Sequence, residues 1–169
     1  GQIARRLARL YPRHLVVGVD HSIARLSKPG LSASMWQSEN CILLRAELAS
    51  FWRLLLEDGH SPERHYLFYP NPWPKPGHLT RRWHGHPVFP ALLSLGGEIE
   101  LRCNWEIYAL EFAFAVGVAS GETIRVEALK PEASDSLFEK KYRERGHPLF
   151  TVHVPARLTA TFRQPRVLR

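Results

Sequence analysis

Cysteine is scarce. Cys41 and Cys103 are the only two in 169 residues, and both stand in apolar or strand-like contexts. That excludes a disulfide framework and makes a reducing cytoplasm the simplest compartment. Long apolar runs are missing as well. The best of them, Ile107 to Val118, carries Glu111 and is too short to cross a bilayer, so no membrane span is expected. The first ten residues already hold three arginines at helical spacing. No apolar core or small-residue cleavage site follows them, so no secretory leader is expected. There is no internal repeat and no low-complexity segment. His78, His84 and His86 combine with neither cysteine in a tetrahedral zinc spacing, so no metal is expected. A nucleophile-elbow sequence for a Ser-His-Asp hydrolase is also lacking.

Apolar residues are abundant. They make up 44% of the chain, with 11% aromatic, which excludes general disorder and allows a sizeable core. Lys and Arg number 23 against 16 Asp and Glu, a net charge of +7. Such an excess favours a polyanionic partner, although it says nothing of fold. It falls in groups: Arg5, Arg6, Arg9 and Arg13; Lys75, Arg81 and Arg82 among histidines; and Lys140, Lys141, Arg143 and Arg145. The stretch Arg157 to Arg169 contains four arginines and no acid.

Periodicity predicts helices over Ile3–Tyr11, Ser22–Leu26, Glu47–Glu57, Val88–Leu95 and Trp105–Ala119. Strands are predicted over His14–Asp20, Asn40–Arg45, His65–Tyr69, Glu98–Cys103, Thr123–Leu129 and Leu149–Val154. His14–Asp20 is a continuous apolar run, as in a strand buried on both faces. Lys130–Gly146 reads as a polar connection. The alternation argues an α/β fold, Rossmann-like, with a mostly parallel sheet, helices on both faces and one antiparallel edge strand.

In open parallel sheets, ligands bind beyond the carboxyl ends of the strands. Asp20 ends the first strand, where an acid can accept hydrogen bonds from ribose hydroxyls or simply form a turn. Pro70, Pro72, Pro74 and Pro76 enclose Asn71, Trp73 and Lys75 directly after the third strand. Proline fixes φ and removes donors, so this loop is stiff and can present side chains in fixed positions. Asn104 follows the fourth strand and is a good helix N-cap by type. Trp73 and Trp83 are the tryptophans best placed to meet a base. The fourth notable segment is Ser136-Leu137-Phe138-Glu139, followed by a basic run to Arg145-Gly146.

Taken in order, Asp20, the Pro70–Lys75 loop with Arg81-Arg82, Cys103-Asn104-Trp105-Glu106, and Ser136–Glu139 with Arg145-Gly146 resemble the tRNA (guanine-N7)-methyltransferase family. The resemblance runs from Gly1 to about His153. It implies an S-adenosylmethionine-dependent enzyme acting on tRNA or another structured RNA. Asp20 then binds the cofactor ribose and Glu47 lies near the adenine. Gly1 belongs to the glycine-rich turn that holds the methionine end. Asn71 lies near the methyl group, as cofactor contact and catalytic residue. Lys75, Arg81, Arg82, Asn104, Ser136 and Glu139 contact the target guanosine or its backbone. The resemblance also implies a methyltransferase domain over residues 1–154, without the family's first strand and most of its glycine-rich turn; residues 155–169 lie outside the resemblance and read as a basic tail.

Two positions depart from the family. Asn71 and Asn104 stand where acids are usual, and asparagine keeps the hydrogen-bonding shape while losing the charge. Methylation of another base atom, and a non-catalytic RNA-binding relative, therefore stay open as alternatives.

Overall fold

The computed structural model describes residues 1–22, 35–130 and 136–162. The chain forms two compact units, Gly1–Leu54 and Leu55–Arg169.

In the first unit, helix α1 (Gln2–Leu10) leads into strand β1 (Val16–Asp20), followed by β2 (Met35–Ser38), β3 (Cys41–Arg45) and helix α2 (Leu48–Glu57). The sheet order is β1-β3-β2, with β1 parallel and β2 antiparallel to β3. The small core is Ala8, Cys41 and Leu43, with Ala4 and Val16 against it. Gly18 lets α1 lie close on β1: a Cβ there would come within 2.8 Å of the Ala4 methyl and 2.9 Å of Leu43. That close approach is what requires glycine. The Asn40 amide gathers the carbonyls of Ala8, Tyr11 and His14 at 2.9–3.1 Å, satisfying acceptors left over at the end of α1.

The second unit holds β4 (Arg64–Phe68), two short 3-10 turns (Pro76–Arg81 and Trp83–Gly85), α3 (Phe89–Leu95), β5 (Glu98–Cys103), α4 (Glu106–Ser120), β6 (Val126–Ala128), α5 (Leu137–Glu144), β7 (Phe150–Val154) and α6 (Ala156–Ala160). The order is β4-β5-β7-β6. Strand β4 is parallel to β5, and β7 is antiparallel to both β5 and β6. Helix α4 buries Tyr108, Ala109, Phe112, Ala113 and Val116, a stripe at helical spacing. Its other side leaves Ile107, Leu110, Phe114 and Val118 exposed.

The α/β class and the positions of most elements agree with the sequence reading. The differences have physical causes. Strand β2 lacked a strong apolar signal and is held by pairing with β3. The antiparallel strand β7 lies between two neighbours instead of at the edge. Strand β1 is an end strand, so Leu15 and Val17 beside it stay exposed where the apolar run predicted burial on both faces. Helix α5 occupies part of the polar connection, because polar residues with a good N-cap form a helix without an apolar stripe. Leu158 and Thr159 are buried, and Thr159 Oγ1 donates to Gly97 O at 2.7 Å. The packed unit thus continues past Val154, where sequence alone puts the start of a tail. The helix predicted at Ser22–Leu26 lies largely outside the described residues.

Candidate active site

In the first unit, two acids stand at the carboxyl ends of neighbouring parallel strands. Asp20 is the last residue of β1, in register with Arg45 of β3. Its Oδ1 accepts the Ser22 amide at 2.8 Å, a turn that fixes the side-chain rotamer. Glu47 follows β3 and receives the Ala49 and Ser50 amides at 2.8 and 2.7 Å, so it also caps α2. Two such acids side by side suit the hydroxyls of a ribose and the base attached to it. Gly1 is the N-cap of α1, its carbonyl accepting from the Arg5 amide.

In the second unit, the stiff loop leaves the carboxyl end of β4. The Tyr69 amide donates to Arg102 O at 2.7 Å, extending the β4–β5 ladder by one step. Pro70 has no amide to continue it. Tyr69 and Trp73 both have positive φ, 54° and 46°. A left-handed conformation costs a residue other than glycine about 1–3 kcal/mol, and persists only where its surroundings over-determine it.

Those surroundings are ionic and buried. At Tyr69, the phenol donates to Glu139 Oε1 at 2.7 Å, and Phe138 packs on its ring at 4.1 Å between centroids. Glu139, 2% exposed, also accepts from Arg102 Nη1 at 2.9 Å. With Ser136 it forms a capping box: Glu139 N donates to Ser136 Oγ, and Ser136 N donates to Glu139 Oε2. Burial alone would raise the Glu139 carboxyl, but the donors from Tyr69, Ser136 and Arg102 outweigh it and hold the group down at about 2. Burial and the adjacent carboxylate push the Tyr69 phenol far up, so it stays protonated as a donor.

At Trp73, the backbone carbonyl accepts from Arg82 Nε at 3.2 Å and Nη2 at 2.9 Å. The third guanidinium nitrogen pairs with Glu111 Oε2, which also takes His84 Nε2 at 3.0 Å. The Arg82 guanidinium lies 4.9 Å from the Trp105 ring centroid, and Tyr108 Oη accepts the Trp83 amide at 3.0 Å. Trp105, Tyr108 and Glu111 recur every three residues at the start of α4, so one helix side grips the loop. Burial lowers the His84 pKa, against the pull of Glu111.

Between the two anchors sits Asn71, exposed. Asn104 stands one strand over, past the end of β5. Neither amide makes a protein hydrogen bond among the described residues. Helix α4 starts at Glu106 with Trp105 as N-cap and no side-chain cap, so Asn104 does not cap it as its type suggests. Lys75 and Arg81 are exposed, and Arg81 lies over the Trp73 ring at 4.8 Å.

The structure thus puts Asn71 and Asn104 past the carboxyl ends of the neighbouring parallel strands β4 and β5, and Arg81 on Trp73 of the loop. It gives three other expected substrate contacts different work. Ser136 and Glu139 form the capping box, and Arg82, 5% exposed, is spent on Trp73 and Glu111. Tyr69, Arg102 and Glu111 were not anticipated. The signal for Glu111 was present: it is the one charge inside the apolar stretch Ile107–Val118.

No family model matches the chain. Curated relatives do. One from Thermotoga maritima is 26% identical over 158 residues, covering 90% of this chain and 50% of that protein. One from Leifsonia xyli is 28% identical over 144 residues, covering 79% and 59%. A third, from Neisseria gonorrhoeae, is 35% identical over 74 residues, 42% of this chain and 31% of that protein. All three bear the name tRNA (guanine-N(7)-)-methyltransferase. The chain is similar to the tRNA (guanine-N7)-methyltransferases. It spans about half the length of the Thermotoga relative, and the resemblance carried by its motifs is borne out. Among solved structures, an antibiotic-related methyltransferase matches with TM-score 0.54 at 15% identity, over 89% of this chain and 80% of that one. A 16S rRNA (adenine(1408)-N(1))-methyltransferase from Catenulisporales acidiphilia, solved with its cosubstrate S-adenosylmethionine, matches with TM-score 0.52 at 16% identity, over 92% and 79%. Those likenesses show the methyltransferase fold.

Proposed function

We propose that the chain is an S-adenosylmethionine-dependent RNA methyltransferase that acts on guanine N7 in tRNA. The observation that carries this reading is the doubly anchored proline loop, which presents Asn71 beside Asn104 at the carboxyl edge of parallel strands. The names of the relatives support the same reading.

The chemistry suits such a site. S-adenosylmethionine supplies an electrophilic methyl group on a sulfonium. Guanine N7 offers a lone pair and carries no proton, so no general base is required and alignment provides most of the effect. Positive charge develops on the purine. The Asn71 and Asn104 carbonyl dipoles are the groups at hand to face it, more weakly than carboxylates would. Asp20 and Glu47 hold the cofactor ribose and adenine, with Gly1 at the turn. Lys75 and Arg81 meet RNA phosphate. The partner is tRNA and the compartment the cytoplasm. No described helix is long and apolar enough to cross a membrane.

Calorimetry with S-adenosylmethionine tests this directly. Heat is expected with the full chain and is lost in Asp20→Ala. No heat at millimolar cofactor overturns the reading.

A further inference from the structure

We propose that Arg82 and Glu111 are positioning residues, which set the place of Asn71 relative to Asn104 and touch neither RNA nor cofactor. The inference rests on the methyltransferase reading but has its own physical basis. Arg82 carries two contacts, each to a residue close in sequence to one of the asparagines. Its Nε and Nη2 hold the carbonyl of Trp73, two residues beyond Asn71. Its guanidinium carbon lies 4.9 Å from the ring centroid of Trp105, the residue after Asn104. One buried cation therefore ties the loop backbone at Trp73 to the side chain of Trp105, linking the segments that carry the two asparagines.

Glu111 makes this arrangement possible. A buried guanidinium without a counter-charge is costly, and Glu111 on α4 supplies the charge. His84 shares the same oxygen, with its side chain 5% exposed. Trp73 cannot relax when gripped in this way, because Pro72 and Pro74 restrict the backbone on each side. Its left-handed φ accompanies that grip. The fork geometry of arginine is essential: a lysine ammonium cannot put two fixed nitrogens on one carbonyl and a third on a carboxylate.

A phosphate contact and a positioning role predict opposite results. Arg82→Lys and Glu111→Gln are compared with the full-length parent in tRNA methylation, in RNA binding over a range of salt, and in hydrogen exchange of residues 69–75. Positioning predicts that kcat falls between about 10- and 100-fold while KM for tRNA holds. The salt slope of binding stays unchanged, and exchange in the loop speeds up. Glu111→Gln keeps an acceptor oxygen and shows the same pattern more mildly, which guards against a folding failure of the arginine variant. A salt slope reduced by about one with kcat retained makes Arg82 a phosphate contact and overturns the proposal. Unchanged loop exchange overturns it as well. If the parent protein methylates no RNA, the functional reading falls. The exchange measurement then still decides whether Arg82 holds the loop.

Discussion

The Tyr69 phenol donates to Glu139 Oε1 at 2.7 Å, across 70 residues of sequence. It joins the first residue of the proline loop to the capping carboxylate of α5. The loop's other anchor is Arg82 on Trp73, between the two 3-10 turns and paired with Glu111 of α4. Asn71 lies between two independent fixings.

Tyr69→Phe removes one donor from a buried carboxylate and keeps the ring that packs on Phe138. Loss of a hydrogen bond to a charged group costs about 1.5–3 kcal/mol. An unfolding free energy lowered by that amount at neutral pH is expected, seen as a lower urea midpoint with an unchanged denaturant slope. No shift would mean that Glu139 is satisfied without the phenol.

Acid should unfold the protein in two overlapping stages. His65 is buried with Nε2 on Gly96 O at 2.9 Å, and burial lowers its pKa from 6.5 to about 4. The folded state thus resists protonating it. The stability it contributes is full above pH 6.5 and is lost as pH falls through about 4. Glu139, held at about 2 against 4.5, contributes stability that is full above pH 4.5 and is lost as pH falls toward 2. His65→Gln keeps a donor for Gly96 and should flatten the upper stage alone, and Glu139→Gln the lower. Urea unfolding across pH 7 to 2 measures both, and identical pH profiles for parent and variants would contradict the assignment.

RNA binding should depend on salt through the exposed cations. Lys75→Ala and Arg81→Ala should each weaken binding for any RNA sequence and reduce the salt slope by about one. Filter binding from low to high salt reads this directly. A constant slope would leave these residues as a solvated face.

Much of the fold was legible because periodic apolar patterns declare helices and strands. The proline loop was equally legible, since four prolines in seven residues leave the backbone few choices. Strand β2 and helix α5 were hidden because pairing with β3 and a capping box, not apolar pattern, create them. In the candidate site, Asn71 and Lys75 were singled out by the stiff loop, and Arg81 and Asn104 by the family resemblance. The roles of Arg82, Ser136 and Glu139 were not legible, since sequence shows a charge but not whether a partner waits for it in the fold. Ser136-x-x-Glu139 is itself a capping-box spacing, so that signal could have been read.

Asn71 is the residue on which the account turns. The most direct measurement is mass mapping of tRNA methylated by the full chain with isotope-labelled S-adenosylmethionine, for the parent and for Asn71→Ala. The account predicts N7-methylguanosine with the parent and a rate about 100-fold lower in the variant. A label at another base atom, no label at all, or equal rates for the two proteins would contradict it.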